Sequence, residues 1–394
     1  MPLTNASATQ PTSAAVSSLE LLDIVSNKDE RISELAEKQD RLIDLLDDLM
    51  LSAILIRGHE NIAWITAGQV EVRVGIPAET GIASLLLTRD GRKYYLTTNN
   101  EAARLADEEF PGLGYEPVVA PWHSNNIIEG THRLAGDGSI ATDRALAGLA
   151  SVDLAPLRAP FTNSEASRLR WLAQQTAAVT AETLFALEPG MTEYEMSAGV
   201  AQRLIAKGIL PTVLLMAVDE RIRKYKHAVS RGAVLERYGM LNLCARKWGL
   251  AVSITRFAHF GAAPQQLMDG FAACAQVNAK LLHASRKGVS SAELFTVAER
   301  AYRDAGFAGE EQLHHQGGPI GYVEREWIAL PGGQQVLTGT QALAWNPSIR
   351  GTKIEDTALL QDDALEILTQ TSSLPQIYPT VDGITYPAAN LLIR

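Results

Sequence analysis

The chain of 394 residues is poor in cysteine, in aromatics and in basic charge, and it has no long apolar run. Each shortage excludes a class. Two thiols, Cys244 and Cys274, can neither staple a disulfide framework nor build a Cys-rich zinc site. No apolar stretch reaches the roughly 18 residues of a membrane span. Lys and Arg number 35 against 45 Asp and Glu, a net charge of −10. Nucleic acid and anionic membrane surfaces call for the opposite balance, so neither is expected as a partner. The first 27 residues contain no Lys or Arg. A secretory leader starts basic, so the reading is a cytoplasmic protein. No phosphate-cradling Gly-x-x-x-x-Gly-Lys loop, Gly-x-Gly-x-x-Gly fingerprint or Gly-x-Ser-x-Gly elbow is present.

What is present divides into three parts. Residues 1–18 are rich in Ser, Thr, Ala and Pro and read as a disordered tail. Residues 19–158 read as an α/β domain. An amphipathic helix starts at Leu19, with Leu22, Ile32, Leu35, Leu42, Leu45, Leu46 and Met50 at helical spacing. Strand-like runs follow at Ala53–Ile56, Ile62–Thr66, Ala83–Thr88 and Lys93–Thr97, with Asp90-Gly91 as a hairpin signal. A helix is expected from Asn99 to before Pro111. Residues 159–394 read as α+β, because helices and antiparallel strands are segregated. Helices are expected after Asn163 and Thr192 and over about 264–285 and 291–305. Strands are expected at Thr212–Ala217, Tyr238–Ala245, Leu250–Phe257, Ala342–Asn346, Glu355–Leu360 and Ala364–Leu368.

Four segments of the second half carry a family resemblance: Pro189-Gly-Met-Thr-Glu193, the hairpin Tyr238–Arg256, Gln316-Gly-Gly-Pro-Ile-Gly321 and Ile354-Glu-Asp-Thr357. They resemble the pita-bread family of methionine aminopeptidase, aminopeptidase P, prolidase and creatinase. Asn61-Ile-Ala-Trp-Ile-Thr-Ala-Gly68 resembles the N-terminal domain of the creatinase and aminopeptidase P subset. The resemblance implies a creatinase-like α/β domain followed by an α+β pita-bread catalytic domain, and a homodimer.

Family peptidases hold two metal ions with two Asp, one His and two Glu. The positions that match are Asn242, Ser253, Gly318, Asn346 and Glu355, so one ligand of five remains. With a turn at Lys247-Trp248, positions 242 and 253 would face each other across the hairpin. One carboxylate with neutral oxygens does not neutralise two dications, so no metal and no other cofactor is expected.

Creatinase is the family precedent for hydrolysis of a C–N bond without metal. Its base matches His227, and near-neutral imidazole suits proton transfer between water and a leaving nitrogen. Its carboxylate-binding arginine matches Arg325, where a guanidinium would grip a substrate carboxylate with two parallel bonds. The alternative for Arg325 is an ion pair with Glu324 or Glu326. Glu355 would contact a cationic group or accept a proton. Asn242, Ser253 and Asn346 would be neutral donors in the vacated metal pocket. Thr255 replaces the second glutamate of creatinase, which disfavours creatine itself.

His314 matches a site-lining histidine of aminopeptidase P-like members. His315, its neighbour, is expected to point to the opposite face of a strand. Arg73 matches an arginine that creatinase donates to the partner's site, with a solvated strand charge as the alternative. The expected ligand is a small carboxylate or zwitterion. An Xaa-Pro metallopeptidase and a catalytically silent binding protein are the competing readings.

Overall fold

The computed structural model describes residues 17–124, 127–136 and 138–394. The expected tail lies outside them up to residue 16. Ser17 instead caps the first helix, α1 (Ser18–Ser26), by accepting from the Glu20 N–H. The single amphipathic helix of the sequence reading is two. Asn27, at φ 58°, breaks it, and its side chain caps α2 (Lys28–Asp48). The buried stripe of α2 is Arg31, Glu34, Lys38, Leu42 and Leu46, so three of its five residues are charged. Ile32, counted above as apolar periodicity, is exposed.

The first sheet runs β4-β3-β2-β1-β5-β6, from β1 (Ala53–Gly58), β2 (Thr80–Thr88), β3 (Lys93–Thr98), β4 (Glu116–Ala120), β5 (Ile140–Thr142) and β6 (Ala150–Ser151). Antiparallel β1–β2–β3 pairing is flanked by parallel neighbours, a mixed α/β sheet. The run expected as strand Ile62–Thr66 is helix α3 (His59–Ile65). Residues 60–65 are all buried, and a short apolar run without alternation does not distinguish the two states. The helix expected from Asn99 shrinks to Ala102–Arg104 followed by the wide turn Leu105–Glu109.

The second half opens on a 24-residue helix, Asn163–Ala186, whose N-terminus carries a reciprocal Thr162/Glu165 capping box. The same device, Thr192/Glu195, starts the helix Glu193–Ile205, and Ser290/Glu293 starts Ser291–Asp304. Each such cap contributes about 1 kcal/mol.

Strands β7 (Leu210–Val218), β8 (Tyr238–Lys247) and β9 (Leu250–His259) make one antiparallel sheet, joined at its edge by Leu392–Ile393. A second sheet holds β10 (Gly317–Ile320), β11 (Gln341–Trp345), Asp356–Gln361 and Ala364–Ile367. Glu355, expected to start a strand, instead makes an isolated bridge to Thr255, with the Thr255 N–H donating to the Glu355 carbonyl at 3.1 Å. That bridge stitches the two sheets together, and the site forms along the seam.

The β8–β9 turn is Trp248-Gly249, with φ 53° and 78°. A two-residue turn with both φ positive matches the twist of a hairpin. The register therefore differs from that expected. Asn242 pairs with Thr255, and Ser253 pairs with Cys244. Asn242 and Ser253 are diagonal neighbours on one face, two residues out of direct opposition. A Cβ on Gly249 would meet Ala63 Cβ at 2.4 Å, and one on Gly68 would meet Trp248 at 2.7 Å. The hairpin tip is thus docked on the Asn61–Gly68 segment of the first domain.

Candidate active site

His227 lies on the loop between β7 and β8, and two carboxylates, one buried and one half-buried, shape that loop. Glu193 receives Arg221 Nε and the Arg231 N–H, both at 2.7 Å. Asp219 receives the N–H groups of Glu236, Arg237 and Tyr238. Beside His227, Lys226 Nζ donates to Glu310 Oε2 at 2.9 Å and to the Ser348 carbonyl at 3.0 Å. The loop is thereby pinned to the segment that carries His314 and His315.

Those two histidines do not sit on a strand. They fall in a bend between a 3-10 turn at Glu310–Gln312 and β10. Strand alternation does not apply to them, and the expectation of opposite faces fails. Their rings stack, with centroids 4.3 Å apart, and both approach His227, at 4.7 and 6.0 Å. His314 Nε2 is 2.9 Å from His227 Nε2.

The tautomers follow from the partners. His314 Nδ1 is 2.5 Å from the His315 carbonyl, which only accepts, so Nδ1 carries the hydrogen. Burial, then the cation of Lys353, depresses the His314 pKa to about 2, so the ring is neutral and its Nε2 accepts. His227 Nε2 must donate to it, which leaves His227 Nδ1 with the lone pair. Burial and Lys353 also lower the pKa of His227.

Glu355 is buried on the seam, and its oxygens are occupied. Oε1 receives Arg325 Nη2 at 2.9 Å. Oε2 receives Asn242 Nδ2 at 2.7 Å and Thr255 Oγ1 at 2.6 Å, with Lys353 Nζ at 3.4 Å. Burial alone would raise the Glu355 pKa. Lys353 and Arg325 outweigh it and hold the carboxyl at about 2. Glu355 therefore stays ionised, and the expectation that it accepts a proton or binds a substrate cation is corrected. Its cations are the chain's own Lys353 and Arg325.

Arg325 also donates to Ser253 Oγ at 3.1 Å. Nη1 donates to the Glu324 backbone carbonyl at 2.6 Å, but neither neighbouring carboxylate takes the guanidinium. Glu324 is held by Arg246 at 2.7 Å, and Glu326 is held by Arg158. Arg325 Nε and Asn346 Oδ1 are buried polar atoms without a partner.

Six of the residues read from the sequence thus form two neighbouring groups: Asn242, Ser253, Arg325 and Glu355 share hydrogen bonds, His227 meets His314, and the charges of Glu355 and Arg325 act on His227. Asn346, buried at the end of β11, makes no hydrogen bond to that set. Arg73 lies elsewhere, bidentate on Glu71 of its own chain at 2.9 and 2.6 Å, where its charge acts on His59 and Arg246.

The sequence reading missed Lys353 and gave His315 only a supporting role. The signal for Lys353 was its place two residues from Glu355 in an extended segment, which puts both on one face. Cys244, opposite Ser253, is no nucleophile. Burial raises its thiol pKa to about 11.

The residues present do not fit a dinuclear metal centre. The single carboxylate already carries two cationic side chains. At Gly318, a Cβ would stand 2.2 Å from the Trp327 carbonyl oxygen. The backbone of Trp327 and Ile328 fills the space an imidazole would need there.

The model of metallopeptidase family M24 matches residues 167–362. The chain belongs to the M24, or pita-bread, family. Among curated proteins, the Xaa-Pro dipeptidase of Lactobacillus delbrueckii subsp. lactis is 22% identical over 236 residues. That match covers 57% of this chain and 64% of the dipeptidase, under two thirds of its length. Among solved structures, an Xaa-Pro dipeptidase from Bacillus anthracis has a TM-score of 0.70 at 17% identity, covering 91% of this chain and all of that one. The prolidase from Pyrococcus horikoshii OT3 gives 0.69 at 17% identity, over 85% of this chain and 99% of that chain. The N-terminal domain of FACT complex subunit SPT16 from Cicer arietinum also matches, at 0.61 and 13% identity, over 85% and 96% of the two chains. At these identities the likeness is one of fold. Among the described residues, no helix is long and apolar enough to cross a membrane.

Proposed function

We propose that this M24 chain is a creatinase-like hydrolase that cleaves a C–N bond in a small carboxylate-bearing substrate without the family's two-metal centre. The observation that carries the proposal is the charge of the pocket. One anion, Glu355, faces two cations, Lys353 and Arg325, beside three neutral imidazoles. A pocket with one positive charge in excess favours a carboxylate over a dication. The orphaned Arg325 Nε offers that carboxylate a donor, and Asn346 Oδ1 offers an acceptor to a substrate N–H.

In this mechanism His227 Nδ1 takes a proton from water as the water oxygen bonds to the substrate carbon. His227 then gives that proton to the departing nitrogen as the C–N bond breaks. The His314 Nε2 lone pair holds the opposite edge of the ring, so the imidazolium keeps a partner while it exists. Arg325, steadied by Ser253 and Glu355, binds the substrate carboxylate, and Glu355 acts by holding both cations in place. Asn242 and Thr255 keep Glu355 ionised and oriented. A homodimer in which Arg73 reaches the partner's pocket belongs to this proposal.

The test is turnover of N-acyl amino acids, cyclic amidines and Xaa-Pro dipeptides by chelator-treated protein. Release of amine or carboxylate products that vanishes in H227A supports the reading. Turnover of Xaa-Pro dipeptides only after Mn, Co or Zn is restored would replace it with the peptidase reading. Binding of small acids with no product from any class would leave a silent binding protein.

A further inference from the structure

The three imidazoles form a second constellation, apart from the family's five ligand positions. One nitrogen from each of His227, His314 and His315 lies within 4.8 Å of the others. The pair His227 Nε2 and His314 Nε2 is already at 2.9 Å. Two nitrogens on one tetrahedral ion, at about 2.0–2.1 Å each, stand about 3.3 Å apart. The pair would open slightly, and the third nitrogen, within 4.8 Å, would close by at most about 1.5 Å. His227 has the freedom to do so, since it is exposed on a loop.

The second ring nitrogens are suitably placed. His314 Nδ1–H donates to the His315 carbonyl, the outer contact that fixes a ligating imidazole with Nε2 outward. His315 Nδ1 is engaged only by a long contact from the Gly317 N–H, at 3.3 Å.

We propose that His227, His314 and His315 form a mononuclear transition-metal site, selective for borderline ions such as Zn(II), Co(II), Ni(II) or Cu(II). Three neutral nitrogens suit such ions, and Mg(II) and Ca(II) would want oxygen donors instead. Lys353 and Arg325, both nearby, leave one uncompensated positive charge, so the fourth ligand would be anionic: hydroxide or a carboxylate. Binding through Nε2 moves the His227 hydrogen to Nδ1, which removes the lone pair the proposed base needs. Metal and base function are therefore mutually exclusive at His227, and the ion would be an inhibitor of the reaction proposed above.

The experiment is titration of untagged, chelator-stripped protein with Co(II) and Zn(II) alone, read by calorimetry and by the visible spectrum of cobalt. One ion per chain is expected, with the intense visible bands of a low-coordinate Co(II) centre. H227A removes an exposed ring and leaves the fold intact. It and H315A should each weaken binding by more than the about 10–100-fold that losing an outer-sphere partner costs. K353M should tighten binding, because it removes a like charge, and E355Q should leave one ion bound. Absence of binding, or binding that survives both H227A and H315A, would overturn the site. So would two ions per chain that depart with E355Q. The readout needs no substrate, while the hydrolase reading is tested in chelator, so the two fail separately.

Discussion

Two clusters of buried charge, one near the hairpin tip through Tyr322 and one farther along the hairpin at Asn242 and Thr255, are built on opposite plans. Between α2 and the helix Asn163–Ala186, Lys38 Nζ donates to Glu34 at 2.6 Å, Glu165 at 2.7 Å, the Trp64 carbonyl at 2.9 Å and Tyr322 Oη at 3.0 Å. Arg168 closes the cluster on Glu34 at 2.6 and 2.8 Å. Two cations meet two anions, all four side chains fully buried. At the seam of the two sheets, one anion meets two cations, and Arg325 is 18% exposed. The first cluster is closed and neutral and joins the domains. The second is open and one charge out of balance, while an unpartnered guanidinium Nε is common to both, Arg168 in the first and Arg325 in the second. Both are ion-pair networks, and the imbalance is what distinguishes reception of a ligand from structural fixing.

The sharpest way to break this contrast is at Lys38. K38A leaves Glu34, Glu165 and Arg168 buried around a missing cation, and should cost about 3–5 kcal/mol in denaturant unfolding. A loss under 1 kcal/mol would mean water already reaches the cluster.

Acid separates the clusters by pH. Glu34, which burial would raise, is held at about 2 by Lys38 and Arg168, below its usual 4.5. Depressed carboxyls contribute stability that is complete above pH 4.5 and lost as pH falls towards 2, about 3 kcal/mol for each of Glu34 and Glu355. In the site, burial depresses His315 to about 4 from 6.5, so the unfolded chain protonates first there. Its contribution is lost as pH falls from 6.5 to 4. Protection factors in metal-free protein should therefore fall around residues 314–318 between pH 6.5 and 4.5, while α2 stays protected until below 4.5. Simultaneous loss would contradict the division.

A smaller effect is expected at Gly318. G318A forces a Cβ against the Trp327 carbonyl and should destabilise by about 1–3 kcal/mol. A neutral change would show that the metal-ligand position retains room. The smallest is at His227: H227A should shift stability by under about 0.5 kcal/mol, because its ring is exposed. A stability-neutral variant without turnover would tie this ring to chemistry.

Much of the site was legible before the fold. His227, Arg325, Glu355, Asn242, Ser253 and His314 were picked from motif order, and they converge because the hairpin and the second sheet meet at the Thr255–Glu355 bridge. Lys353 lies just outside the Ile354–Thr357 motif, and its only signal is its place two residues from Glu355 in an extended segment. His315 was misplaced because a local bend replaced the assumed strand. In the first domain, the α3 run reads equally as strand or helix, because all of residues 60–65 are buried and carry no period.

The sequence alone determined which groups the old metal positions carry, where the capped helices after Thr162, Thr192 and Ser290 start, and that the balance of charge is acidic. These are properties of residue identity and near neighbours, fixed within one turn of helix or one hairpin. The tertiary structure alone decided the pairing of Arg325 with Glu355 and the meeting of three imidazoles. The reach differs: the His227–His314 contact spans 87 positions and the Arg325–Glu355 pair 30, whereas the hairpin slip and the Lys353–Glu355 pair are settled by local turn and strand geometry. Only packing in three dimensions supplies the longer-range information.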